Sequence, residues 1–281
     1  MSRRDWGERL EKLYRVFPWP EELGSERLAD RLRAARRHFE ILTTHPWVRE
    51  AVKGGEATVI DVCGGVGVGG VALALVLRGL GINTKLVVVD LRRTALEKAR
   101  KLSKDVLGSE AEVVEADAME VHKYVSGANI ALMFGYTSPH FSPYELLRLT
   151  ISVAASLRPS GVFVLEEHDR FGDILMRIGY KYVVPERVDE DMITLSIHSR
   201  YDHLRGVTER VFLKIPDYEA AKMPVRLWDL AGIAGMLWAG FKDVDFLPIR
   251  TARSGFLIAK EPRGLDPKEF SEDPTIVRKA D

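Results

Sequence analysis

The chain is predicted to fold as an α/β domain built on a mostly parallel sheet with helices on both faces. From residue 56 to about 168, short apolar runs alternate with segments of helical periodicity, in the rhythm of strand–helix–strand units. The first run, Thr58-Val59-Ile60-Asp61-Val62-Cys63, leads into Gly64-Gly65-Val66-Gly67-Val68-Gly69-Gly70, a turn almost without side chains. The next, Leu86 to Asp90, again ends at an acid. Bare glycine backbone permits positive φ and lets a ligand approach closely. The helix expected to begin near Val71 offers unpaired N–H groups and a positive dipole end to an anion. Strand, glycine turn and helix together read as a nucleotide-type cofactor site.

Residues 1–54 precede this unit as a helical cap. Between Ser25 and Val48, Leu28, Leu32, Ala35, Phe39 and Leu42 recur at helical spacing, while Arg27, Arg31, Arg33, Arg36 and Arg37 project elsewhere. Glu26, Asp30 and Glu40 interleave the arginines, so a solvated helix face is expected rather than an RNA-binding stripe. Trp6, Tyr14, Phe17 and Trp19 form an aromatic cluster ahead of that helix, readable either as core packing or as a lid. The main domain spans residues 55–262. In it, Ser156 to Leu165 reads as a helix end, a Pro/Gly turn and a buried strand. Beyond His168, Ile193, Leu195 and Ile197 alternate with Thr194, Ser196 and His198, and a turn at Asp202 to Gly206 leads to Val207 to Ile215. This predicts an antiparallel hairpin inserted after the fifth strand, at about 190–216. A helix opening at Arg226 to Leu230 and strands at Val244 to Pro248 and Gly255 to Ala259 close the domain. Residues 263–281 are a polar tail, expected to be loosely docked or mobile.

Gly65, Gly67 and Gly70 satisfy G-x-G-x-x-G, and Asp90 follows Gly70 by 20 residues, which by itself fits NAD. Asp61 argues otherwise, because a carboxylate there repels a pyrophosphate yet suits the amino group of a bound amino acid. Together with Val113-Val114-Glu115-Ala116-Asp117-Ala118 and Asn129 to Tyr136, these residues resemble the class I S-adenosylmethionine-dependent methyltransferases over roughly residues 55 to 260. The resemblance implies a Rossmann-like seven-stranded, mostly parallel sheet and S-adenosylmethionine as cofactor. It implies that Asp61, Cys63, Gly64, Gly65 and Gly67 form the first cofactor turn, with Cys63 where the family's first glycine is usual. Asp90, followed by Leu91, would accept hydrogen bonds from the ribose hydroxyls. Asp117 and the Ala118 backbone would meet the adenine, and Phe134 and Gly135 would complete the site. Strand-end acids also cap helices or bind arginines, Gly69 and Gly70 also serve close helix–sheet packing, and a lone Cys63 packs beneath a turn more readily than it acts as a nucleophile.

Methyl transfer is an in-line displacement, so the protein's first task is to hold an acceptor lone pair behind the methyl group. The loop after the fourth strand is where the chemistry is expected, with His140 as candidate base and Tyr136 beside it. A loop histidine also serves to cap the following helix. Glu166, Glu167, His168 and Asp169 are a weaker cluster, and no metal site is expected. The inserted hairpin is typical of family members acting on small molecules, so a small-molecule acceptor methylated at O or N is expected. An RNA or protein acceptor would need a basic stripe. An NAD(P)-dependent oxidoreductase and a non-catalytic cofactor-binding module are the readings from other classes; an aminopropyl transferase is disfavoured by Val66 within the glycine turn.

Composition agrees. With 281 residues, 46% apolar content and 29% charge, the chain is long enough for a full core. Its net charge is zero, so no global field recruits nucleic acid or anionic membrane. A single Cys excludes an intrachain disulfide framework and a Cys-rich metal site. No apolar run spans a bilayer, and the start lacks the apolar core of a signal peptide, so a cytoplasmic protein is expected. Glutamine is absent and asparagine occurs only at Asn83 and Asn129, a composition expected of a thermophile.

Overall fold

The computed structural model describes residues 3–17 and 19–278, with side chains from Trp6 onward; readings that fall on Met1, Ser2, Pro18 and residues 279–281 lie outside the described residues. Helices α1 (Arg3–Val16), α2 (Glu26–Leu42) and α3 (Pro46–Ala51) precede the sheet. Ser25 starts α2 by accepting the Leu28 N–H, and the predicted stripe of Leu28, Ala35, Phe39 and Leu42 is its buried face.

Then follow β1 (Glu56–Val62), α4 (Val68–Gly79), β2 (Asn83–Asp90), α5 (Arg93–Leu107), β3 (Glu112–Glu115), β4 (Ala128–Met133), α6 (Pro143–Ser156) and β5 (Leu157–His168). The helix after the glycine turn starts at Val68, earlier than Val71, because Gly67 caps it with a left-handed φ of 80°. Ser142 and Glu145 form a reciprocal capping box that fixes the start of α6. The Pro/Gly turn expected before the fifth strand is absorbed into β5, whose register against β4 shifts between Ala128 and Ile130.

Strands β6 (Val183–Val188), β7 (Ile193–Asp202), β8 (Val207–Ile215) and β9 (Glu219–Val225) come next, then α7 (Leu230–Gly240), β10 (Phe241–Thr251) and β11 (Ser254–Pro262). The main sheet has seven strands in the order β10-β11-β5-β4-β1-β2-β3, with β11 antiparallel to both its neighbours. One face is covered by α2, α4 and α5 around Phe39, Leu73 and Leu96, the other by α6 and α7 around Leu149, Trp228 and Leu237. The predicted hairpin is present as β7 and β8 in register from Ile193–Ile215 to Asp202–Val207, and it forms the middle of a separate four-stranded antiparallel sheet, β6-β7-β8-β9. Helix α1 lies against this second sheet, with Leu13 and Val16 buried among Phe212, Ala221 and Met223.

In the tail Val277 is buried, Arg148 pairs with Asp273 at 2.9 Å and Arg205 donates to the Val277 carbonyl at 3.4 Å. No helix among the described residues is long and apolar enough to cross a membrane.

Candidate active site

The carboxyl ends of β1, β2, β3 and β4 meet at the glycine turn. Asp61 is 1% exposed, and its Oδ2 accepts the Gly70 N–H at 2.7 Å while Oδ1 has no partner among the described residues. Burial pushes its carboxyl up to about 7, against the pull of the Gly70 N–H. The glycines around it are mostly packing glycines. A Cβ on Gly64 or Gly70 would stand 2.8–2.9 Å from the Asp61 carboxylate, and one on Gly69 would stand 2.7 Å from Phe134. Phe134 seals this helix–sheet contact and packs on Phe39 at 5.1 Å, so its ring belongs to the core rather than to a cavity wall.

Gly65 is the turn glycine whose missing Cβ makes room for something other than the core. A Cβ there would meet the Arg92 guanidinium at 2.8 Å. Arg92, 3% exposed, donates twice to Glu21, at 2.8 and 2.9 Å, and its guanidinium lies 3.5 Å from the centre of the Tyr14 ring. Asp90 accepts the Gly65 N–H on one oxygen and the Arg92 N–H on the other, both at 2.8 Å. Each of those oxygens retains a second lone pair. Cys63 takes the left-handed φ of 55° that a glycine would adopt freely. Burial, reinforced by Asp90, Asp117 and Asp61, raises its thiol well above the ordinary range, which keeps it protonated and unreactive.

A single cavity brings together Cys63, Asp90, Leu91, Asp117, Ala118 and His140, six of the residues picked out by sequence. Val89, Ala116 and Met119 add apolar wall, Thr137, Phe141 and Glu145 come from the loop and helix after β4, and Trp6, Leu10 and Tyr14 of α1 lie across it. Asp117 caps the short turn 118–123, its Oδ1 accepting the Met119 N–H at 2.9 Å, and keeps its other oxygen. His140 presents a buried Nδ1 with no partner among the described residues. Burial, then Arg170 and Arg92, lower its pKa to about 4, so the imidazole is neutral at pH 7.

Asp61, Gly64, Gly65, Gly67, Phe134, Gly135 and Tyr136 are not on this cavity's wall. Tyr136 stands apart from His140. It has a left-handed φ of 61°, its ring meets His168 edge-on at 5.1 Å, and its hydroxyl lies 3.4 Å from Ser254 Oγ. Glu167, fully buried, is held by Ser138, Arg170 and the His168 N–H, which makes it a tie between the β4 loop and β5. Sequence reasoning missed Arg92, Glu21, Met119 and Glu145. Of these only Glu145 carried a local signal, the S-x-x-E spacing from Ser142. Arg92 and Glu21 are 71 residues apart, and nothing local announces their pairing.

The donor set fits an adenosyl amino acid. Two carboxylates with spare lone pairs suit a diol and an amino group of the base, and the apolar wall suits a ring. The orphaned Asp61 oxygen suits an ammonium. No protein-family model and no curated protein sequence matches the chain. Solved structures do. A protein from Pyrococcus horikoshii OT3 is 20% identical, with a TM-score of 0.60 over 90% of this chain and 99% of that one. The CcbJ methyltransferase from Streptomyces caelestis is 13% identical, with a TM-score of 0.62 over 93% and 100%. The S-adenosylmethionine-bound amino pentose methyltransferase CalS10 from Micromonospora echinaspora is 17% identical, with a TM-score of 0.54 over 90% and 96%. At these identities the likeness shows the fold alone, and that fold is the one of class I S-adenosylmethionine-dependent methyltransferases.

Proposed function

We propose that this chain is an S-adenosylmethionine-dependent methyltransferase that methylates oxygen or nitrogen of a small-molecule acceptor. The observation that carries the reading is one cavity at the carboxyl ends of β1 to β4 in which Asp90 and Asp117 share a wall with the neutral, unpartnered His140. Asp117 and Ala118 hold the adenine, Asp90 the ribose hydroxyls and Leu91 the ring face. Asp61 takes the amino group, while Cys63, Gly64, Gly65, Gly67, Phe134 and Gly135 shape the turn beneath. Bound S-adenosylmethionine supplies an activated methyl group, which leaves the protein to position the acceptor and manage one proton. His140 accepts that proton when the acceptor is a hydroxyl, because its imidazole is already neutral at pH 7. Tyr136, against His168 and Ser254 outside this cavity, has no part in this reading.

A small acceptor is supported by the cover that α1 places over the cavity and by the CalS10 likeness. An RNA acceptor is disfavoured by α2, where Arg33 pairs with Glu26 and Asp30 and Arg36 with Glu40. The test is release of S-adenosylhomocysteine with a panel of hydroxyl and amine metabolites. With a hydroxyl acceptor, His140→Ala is expected to lower kcat by about 10²- to 10³-fold with KM nearly unchanged. The acidic limb of kcat/KM is expected near pH 4 rather than 6.5. An unchanged kcat removes His140 from the chemistry, and hydride transfer from NADH in place of methyl transfer overturns the reading.

A further inference from the structure

A second cavity lies between the hairpin of β7 and β8 and the segments that follow β5 and β9. It encloses about 390 Å³, room for a small metabolite, and shares no wall residue with the cavity of Asp90 and His140. Phe171, Val225 and Leu227 are apolar walls, and Tyr201 and Thr208 bring hydroxyls. Phe171 and Tyr201 are 46% and 59% exposed, so two aromatic rings of the cavity still face solvent.

The nitrogen groups of its wall are donors. Arg226 is half-buried and has no carboxylate partner among the described residues. Its Nη1 donates to the Gly206 carbonyl at 2.7 Å, and its guanidinium lies 4.4 Å from the Trp228 ring centre. Gly206, at a φ of +64°, makes room for it, because a Cβ there would collide with Nη1. The buried Nε has no partner among the described residues. The second donor is set by a chain of hydrogen bonds. Arg210, 7% exposed, can only donate, and its Nη1 donates to the Tyr180 hydroxyl at 3.2 Å. That hydroxyl therefore turns its own hydrogen to His198 Nδ1, 2.5 Å away. An imidazole that accepts at Nδ1 carries its hydrogen on Nε2, which has no partner among the described residues.

Among the described residues no aspartate or glutamate lines this cavity. Arg210, behind it, reaches Glu186 only through the Ser196 hydroxyl. A guanidinium, an imidazole N–H and two hydroxyls on an acid-free wall complement a negative charge, and charge-assisted hydrogen bonds from such donors are the strong ones.

We infer that this cavity binds a small organic anion, a carboxylate or a phosphate carried on an aromatic or apolar body. Arg226 and His198 hold the charged group, and Phe171 and Leu227 hold the body. The backbone N–H of Arg226 donates to the Pro139 carbonyl at 2.8 Å, which ties the site to the loop that carries His140. The site stands whatever the other cavity binds.

The test is calorimetric titration of the full chain with phenyl phosphate, with benzoate and, as the uncharged reference, with benzyl alcohol. At least one of the two anions is expected to bind about tenfold or more tighter than the alcohol. Arg226→Gln is expected to weaken that anion by about ten- to a hundredfold, the size of a charge-assisted pair, and the alcohol by less than about twofold. Arg226→Lys is expected to recover part of the loss. His198→Phe, which keeps a ring and removes the donor, is expected to weaken the anion by about three- to tenfold. Arg200→Gln, at a side chain 75% exposed on the same strand as His198, is expected to change nothing. Failure of both anions to bind the unmodified protein would overturn the inference, as would an alcohol that binds equally well. So would anion binding that Arg226→Gln and His198→Phe leave unchanged, or an equal loss of anion and alcohol in Arg226→Gln.

Discussion

At Asp61, one carboxylate oxygen accepts the Gly70 N–H and the other has no partner among the described residues, so the residue locks the glycine turn and leaves one oxygen for the proposed ammonium. Holding it buried has a cost with a definite pH window. The unfolded chain loses this proton near pH 4 and the folded chain near 7, so between those values the native state binds the extra proton. Stability from this group therefore falls as pH rises across that window, and above it the full penalty, at most about 4 kcal/mol, is present. Asp61→Asn keeps an acceptor for Gly70 and removes the charge. Its melting temperature is expected to exceed that of the unmodified protein at pH 8, with the gap closing toward pH 4, while S-adenosylmethionine binding weakens. Equal gaps at both pH values would show that charge burial is not the cause. Cys63 stands two residues on with a φ of 55°, and Cys63→Gly is expected to change stability by no more than about 1 kcal/mol, measured by urea denaturation.

The elements divide into those whose signals are local and those whose signals are not. Strand β1 and the turn after it were legible because Asp61 and the glycines sit within ten residues of one another. The hairpin β7–β8 was legible from strict alternation. Its outer neighbours were not, since β6 contains Pro185 and β9 contains Pro224, and proline within a run argues against a strand unless it lies on an edge. Both strands are the edges of their sheet. The aromatic cluster was legible as a cluster, but not as cover or core. The structure divides it, with Trp6 and Tyr14 lining the cavity and Phe17 stacked on Phe212 at 6.2 Å. Helix α1 therefore covers the cavity with one part of its surface and grips the second sheet with another. Lys12 and Arg15 lie exposed on it, and trypsin cleavage after them is expected to slow when S-adenosylhomocysteine is added, followed by mass spectrometry. Cleavage at an unchanged rate would mean that α1 does not answer to the site. Trp6→Ala is expected to weaken the same ligand by about tenfold, the loss of one aromatic wall.

Across the whole molecule, two sheets with separate cores are bridged by α1, which packs on the antiparallel sheet and lies across the cavity of the parallel one. The parallel sheet supplies Asp61, Asp90 and Asp117 at its carboxyl ends, and the antiparallel sheet supplies the surface on which α1 rests. That division explains why Arg92 pairs with Glu21 and stacks on Tyr14, residues of the segment that crosses from one sheet to the other. Periodicity fixes what lies within an element, whereas this meeting of segments depends on tertiary packing. The central claim is that the cavity between them receives an adenosyl amino acid and not a dinucleotide. Calorimetric titration of the purified protein with S-adenosylmethionine, S-adenosylhomocysteine and NADH in parallel tests it most directly. The account predicts binding of the first two, lost in Asp90→Ala, and none of the third; binding of NADH alone would contradict it and make Gly65, Gly67 and Gly70 a dinucleotide turn.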